Sequence, residues 1–209
     1  MNKLSFVASM LMMCLPMTMM AQKNGAKAQD KPDPNFQIYL CFGQSNMEGN
    51  ANIEDIDRTG VNPRFMAMYA VDDEKAGWKK GQWHTAVPPQ ARPDTGLTPV
   101  DYFGRKMVDN LPDSIKVGTI TVAVGGASID LFDKRTCKAY LKKQPDWMKN
   151  FASQYNGNPY ARLIELAKIA QKQGVIKGIL LHQGETNNGD VNWPNRVKTV
   201  YNDILKELH

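Results

Sequence analysis

Three short polar blocks, each following an apolar run, hold the residues best suited to chemistry. They are Gly43-Gln44-Ser45-Asn46, Gly125-Gly126-Ala127-Ser128 and Gln183-Gly184-Glu185-Thr186-Asn187. A serine just past a strand, at the first turn of a helix, exposes its hydroxyl where helix amides favour negative charge. That is a setting for a nucleophile, although the same serine could simply cap the helix. Adjacent glycines let the backbone approach a substrate closely, and a free amide there can donate to an oxyanion. They also make an ordinary tight turn. Gln183 offers a side-chain amide for the same donation, and Glu185 a carboxylate able to orient a histidine or polarise a base. Either residue alone is common on a surface. The block around Ser45 is not the G-x-S-x-G elbow of α/β-hydrolases, because Met47 stands where the second glycine is required.

These blocks need elements to position them. The runs 36–42, 115–124 and 175–182 read as buried strands, each ending in one of the polar blocks, and 64–70 as a further strand. Apolar strands with little alternation suit a parallel sheet covered on both faces. Helical spacing falls between them. Val100, Phe103, Met107, Val108 and Leu111 share a face beginning near Pro99. Ala161, Ile164, Ala167 and Ile169 mark a second helix ended by Gly174. Val197, Val200, Tyr201, Ile204, Leu205 and Leu208 follow i, i+3, i+4, i+7 with charges opposite. Strands alternating with helices predict a doubly wound α/β domain, whose ligands bind beyond the carboxyl ends of the strands. All three polar blocks fall there. The segment 72–96, with Trp78, Trp83 and His84, reads either as a binding rim or as plain cover for a core edge.

Composition bounds the rest. The 209 residues are 42% hydrophobic and 22% charged, as in an ordinary globular protein. Residues 1–21, with Lys3, an apolar stretch broken by Pro16, and Ala21 before Gln22, read as a secretory signal peptide. Residues 22–35 read as a flexible lead-in and 36–209 as the folded domain. The expected location is therefore periplasmic or extracellular, with no membrane association after removal of the signal. The net charge of +5 is scattered, with no basic stripe of the kind nucleic acid requires. No Cys/His spacing of the zinc type occurs, so no metal site is expected. Cys41 and Cys137 could pair in an exported protein, but Cys41 inside an apolar strand suits a free, buried thiol.

Taken together, "GQSNMEG", "AVGGASI" and "LLHQGETN" resemble the SGNH-hydrolase superfamily, and within it the sialate O-acetylesterase/acetylxylan esterase type of carbohydrate esterase. The segment "DTGLTPVDYFG" resembles that family's lead into a helix, and the resemblance runs from about residue 37 to 205. It implies a flavodoxin-like three-layer α/β/α sandwich and removal of O-acetyl groups from carbohydrates without metal or organic cofactor. By position it implies Ser45 as nucleophile and Glu185 as a carboxylate aiding the catalytic histidine. The oxyanion donors would be the amides of Ser45 and Gly126 (or Gly125) and the Gln183 side chain, with Gln44, Asn46 and His182 beside the substrate. The family's histidine follows a last strand in a D-x-x-H motif, which this sequence does not contain. His209 and His84 are poor substitutes. The expectation is a domain truncated before that strand; the alternative is a non-catalytic relative that binds acetylated glycans.

Overall fold

Five strands form one sheet in the order β3-β2-β4-β1-β5. The computed structural model describes residues 31–209, so the expected signal peptide and most of the lead-in lie outside the described residues. The strands are β1 (Phe36–Gly43), β2 (Phe65–Met68), β3 (Trp83–Thr85), β4 (Lys116–Ala123) and β5 (Val175–His182). The helices are α1 (Ser45–Glu48), α2 (Asp55–Arg58), α3 (Pro99–Asn110), α4 (Cys137–Lys142), α5 (Asp146–Ser153), α6 (Pro159–Ala170) and α7 (Trp193–Leu208), with 3-10 turns at Ile129–Phe132 and Glu185–Asn187. β1 pairs in parallel with β4 on one side and β5 on the other, and β2 pairs in parallel with β4. Among the described strands, only β3 runs antiparallel. It is the one strand the sequence pattern does not announce, since a three-residue Trp-His-Thr run carries almost no periodicity.

Alternation along β1 divides the layers. Ile38, Leu40 and Phe42 pack toward Leu163, Leu166, Ala167 and Ala170 of α6 and Val200 and Ile204 of α7. Tyr39 and Cys41 face the other way, toward Met47, Val100 and Ala123, and Tyr39 meets Phe103 of α3 edge-on at 5.0 Å. The result is the expected three-layer α/β/α sandwich with a mainly parallel sheet. The helix starts follow capping chemistry. Thr98 accepts the Val100 amide ahead of Pro99, and Asp101 returns a bond to the Thr98 amide, so α3 opens on a capping box. Asn158 accepts the Ala161 amide ahead of Pro159 and opens α6. In α6 the buried face is wider than the sequence spacing suggested: it includes Leu163 and Leu166, while Ala161 is exposed.

The two flanks of β1 differ. β4 is buried at every position after Lys116, whereas β5 is at most half-buried along its length. Beside β5, Ile176, Ile179 and Leu181 with Val197, Tyr201 and Leu205 of α7 line an apolar groove of about 800 Å³. Of the α7 face read from the sequence, Val200 and Ile204 are buried, while Tyr201 and Leu205 are exposed.

The segment 72–96 serves chiefly as cover. Trp78 stacks on His84 at 3.9 Å and meets Tyr69 edge-on, and Trp83 packs against Phe36. Cys41 and Cys137 are both buried and free. Burial pushes the Cys41 thiol up to about 12 and the Cys137 thiol to about 11. Among the described residues no helix is long and apolar enough to cross a membrane.

Candidate active site

The strand register brings the three polar blocks to one level: Gly43 of β1 lies beside Ala123 of β4 and His182 of β5. The row is close-packed, because a Cβ at Gly43 would fall 2.0 Å from the His182 carbonyl oxygen. The Gln44 N–H donates to that carbonyl at 3.0 Å. The Gln44 carbonyl accepts the Met47 and Glu48 amides, closing the single turn of α1. Ser45 is the first residue of that turn and is partly exposed. Its N–H has no acceptor within the turn, as at any helix start.

Gly125 follows β4 so closely that a Cβ on it would lie 3.9 Å from Ser45 Cβ. Its amide is already engaged, donating to Glu48 Oε1 at 3.0 Å. The same oxygen lies 2.6 Å from Arg92, and the two side chains are 9% and 3% exposed. Of the two glycines left open by the sequence, Gly126 is therefore the one whose N–H meets no backbone acceptor among the described residues. Gly126 adopts φ +69°, and a Cβ there would come within 3.0 Å of the Trp147 indole.

Gln183 occupies a different position from that of a free donor. It is buried, and its Nε2 lies within bonding distance of Gln44 Oε1 (3.2 Å), the Ala127 carbonyl (3.2 Å) and Asn187 Oδ1 (2.7 Å). Its Oε1 accepts the Trp193 indole N–H at 2.6 Å. Two hydrogens facing three acceptors leave none to point at a substrate, so here Gln183 is a brace joining all three blocks. Gln44, also buried, extends the brace by accepting the Gly184 and Thr186 amides. Thr186 donates onward to the Gly126 carbonyl at 3.0 Å.

On the β5 side the groups are open to solvent. Glu185 Oε1 accepts from Asn46 Nδ2 at 2.8 Å and lies 3.2 Å from His182 Nε2, with His182 and Glu185 46% and 44% exposed. Partial burial pushes the Glu185 carboxyl up, but its own backbone amide, Asn46 and His182 outweigh that and hold it below the usual carboxylate range. Asn46 and His182 also line a hollow of about 380 Å³ with Ala51, Leu97, Pro99 and Tyr102.

None of the three histidines is bonded to the Ser45 hydroxyl. His182 is turned to Glu185. His84 contacts the Thr85 carbonyl and pairs with Ala67 at the level of Tyr39, three strands across from β1. At ordinary strand spacings that is roughly 20 Å from the row of strand ends. His209 ends α7, whose first residue meets Gln183; sixteen residues of helix put it about 24 Å away. Glu48 and Arg92 are the site residues that sequence reasoning missed. The available signal was the first charge after the uncharged first block, two residues beyond Asn46, but nothing local joins it to an arginine in "PPQARP".

The model of the family described as carbohydrate esterase, sialic acid-specific acetylesterase matches residues 35–209. Among solved structures, a protein from Arabidopsis thaliana superposes with a TM-score of 0.60 at 18% identity, over 84% of this chain and 70% of that one. The carbohydrate acetylesterase XAC1771 of Xanthomonas citri gives 0.53 at 19%, over 82% of this chain and 38% of its own length. NanS gives 0.55 at 16%, over 86% and 63%. The chain thus spans less than two thirds of the length of XAC1771 and of NanS. These likenesses share the fold, and the family match covers every strand and all three blocks: the chain belongs to the carbohydrate esterase family of sialic acid-specific acetylesterases.

Proposed function

We propose that the protein is an exported serine esterase that removes O-acetyl groups from carbohydrates. The observation that carries this reading is the shared level of the three strand ends, which brings Ser45 beside a glycine loop whose Gly126 amide meets no backbone acceptor among the described residues. In this reading Ser45 Oγ attacks the acetyl carbonyl, and the carbonyl oxygen gains the negative charge. The Ser45 and Gly126 amides donate to that oxygen. Collapse of the tetrahedral intermediate breaks the bond to the sugar oxygen, which takes up the proton that Ser45 Oγ released on attack; water then attacks the acetyl-serine, returns a proton to Oγ and frees acetate. Asn46 and His182, with Gln44 behind them, shape the sugar side, and Glu185 holds both Asn46 and His182.

A second reading has one observation in its favour: among the described residues, no histidine is bonded to the Ser45 hydroxyl. It is a glycan-binding relative that recognises acetylated sugars without cleaving them. Acetate release from O-acetylated sialic acid and from acetylated xylan, measured on this chain and on Ser45→Ala, separates the two. Release that disappears in Ser45→Ala supports the esterase. Absence of release, with binding of the same sugars retained by calorimetry, supports the binder.

A further inference from the structure

Burying an ion pair seldom stabilises a fold more than apolar residues of the same volume would. A pair with side chains 9% and 3% exposed, beneath two catalytic turns, therefore needs another reason to be there. We propose that Glu48, its buried charge balanced by Arg92, is a positioning residue that aims the Gly126 amide over Ser45, an inference that rests on the esterase reading of that serine. Glu48 lies one turn after Ser45 on the same short helix and takes the Gly125 N–H at 3.0 Å. Fixing the orientation of that amide sets where the next one points. Arg92 holds the Glu48 carboxylate at 2.6 Å and donates to the Ala123 carbonyl at 3.1 Å. The segment 123–125 is thus gripped at both ends by one charged couple.

The rest of the loop is closed from the other side. The Arg92 guanidinium lies over the Phe151 ring at 4.5 Å, a geometry in which the ring quadrupole favours the cation. Phe151 meets Trp147 edge-on at 5.9 Å, and Trp147 closes against Gly126. Because Glu48 and Ser45 share one helical turn, nucleophile and oxyanion donor are held as a single unit. Arg92 Nε has no partner and is buried, so the guanidinium is placed for the two acceptors it meets rather than for complete solvation.

Two double variants of the full chain test this. In Glu48→Met/Arg92→Met both charges are gone and the volume is kept, so the fold persists, but Gly125 loses its acceptor. In Glu48→Gln/Arg92→Met an acceptor oxygen for Gly125 remains. With p-nitrophenyl acetate, the first is expected to lose about 10–100-fold in kcat with KM little changed. Its Gly125 amide should exchange with deuterium at least about ten-fold faster by NMR. The second should recover most of both losses. Two folded doubles with equal kcat and equal Gly125 exchange would overturn the proposal, because the acceptor at position 48 would then not matter. Should the wild-type chain release nothing from the ester, the esterase reading fails, and the Gly125 exchange rates alone still decide whether Glu48 anchors the loop.

Discussion

The two strands flanking β1 build the two halves of the site in different ways. On the β4 side, the loop after a buried strand is fixed by a buried ion pair and by aromatic rings. On the β5 side, the strand is half-exposed, and its His182 and the following Glu185 meet Asn46 of α1 at the surface. The contrast separates the chemistry as well as the packing. In the esterase reading proposed above, the oxyanion donors must not reorganise during reaction, and the buried loop would supply that rigidity. The open flank would supply the polar groups that orient a base. The Gln183 brace ties the two halves together, with Thr186 donating to the Gly126 carbonyl and Asn187 bonded to Ser128 and to the Ile129 amide.

The largest expected difference between the flanks is in stability. Arg92→Met leaves the Glu48 carboxylate buried without its partner and should cost about 3–5 kcal/mol in urea denaturation. Glu185→Gln removes a solvent-exposed interaction and should cost about 1 kcal/mol or less. Equal losses would mean that the two halves are not built differently.

The carboxylates of the two flanks should also titrate with opposite sign. Burial pushes the Asp101 carboxyl up to about 6, against the Thr98 amide and Gln90 that pull it down. Gln90 in turn accepts from Thr119 of β4. Folding therefore takes up a proton at Asp101. The associated stability, on the order of 3 kcal/mol, is fully present below about pH 4 and lost as pH rises through about 6. Glu185 lies below its ordinary value, so its contribution is present above about pH 4.5 and is lost as pH falls through its folded value. Urea midpoints between pH 4 and 7 should lose the downward slope in Asp101→Asn and keep it in Glu185→Gln. The reverse pattern would contradict this assignment.

Much of this arrangement was legible in the sequence because the fold is built from local signals. Apolar runs that stop at glycine and amide residues mark parallel strands and their carboxyl ends, and Thr98-Pro99 marks where α3 begins. Ser45 and the glycine pair followed from the same runs. What could not be read depends on contacts between distant segments. Glu48 finds Arg92 only after β2 and β3 have been laid down, so the commitment of the Gly125 amide is invisible locally. The same holds for Gln183, whose amide reads as free until Gln44, Asn187 and Trp193 close around it. Strand β3 is too short to show a period and exists by pairing with β2.

A smaller effect probes the open flank alone. Since no histidine is bonded to Ser45, added imidazole at tens of millimolar should raise the rate of p-nitrophenyl acetate hydrolysis about ten-fold over the imidazole background, by serving as the proton acceptor. Ser45→Ala should show no such gain. If His182 already does that work, imidazole adds nothing and His182→Ala abolishes the reaction.

The central claim, that Ser45 is a nucleophile served by an assembled oxyanion site, is tested most directly by covalent labelling. The chain would be treated with a fluorophosphonate probe and the modified peptide mapped by mass spectrometry. The account predicts a single adduct on Ser45, formed more slowly in Glu48→Met/Arg92→Met. An unlabelled Ser45 in the folded chain, or an adduct on another residue that forms as fast in Ser45→Ala, would contradict it.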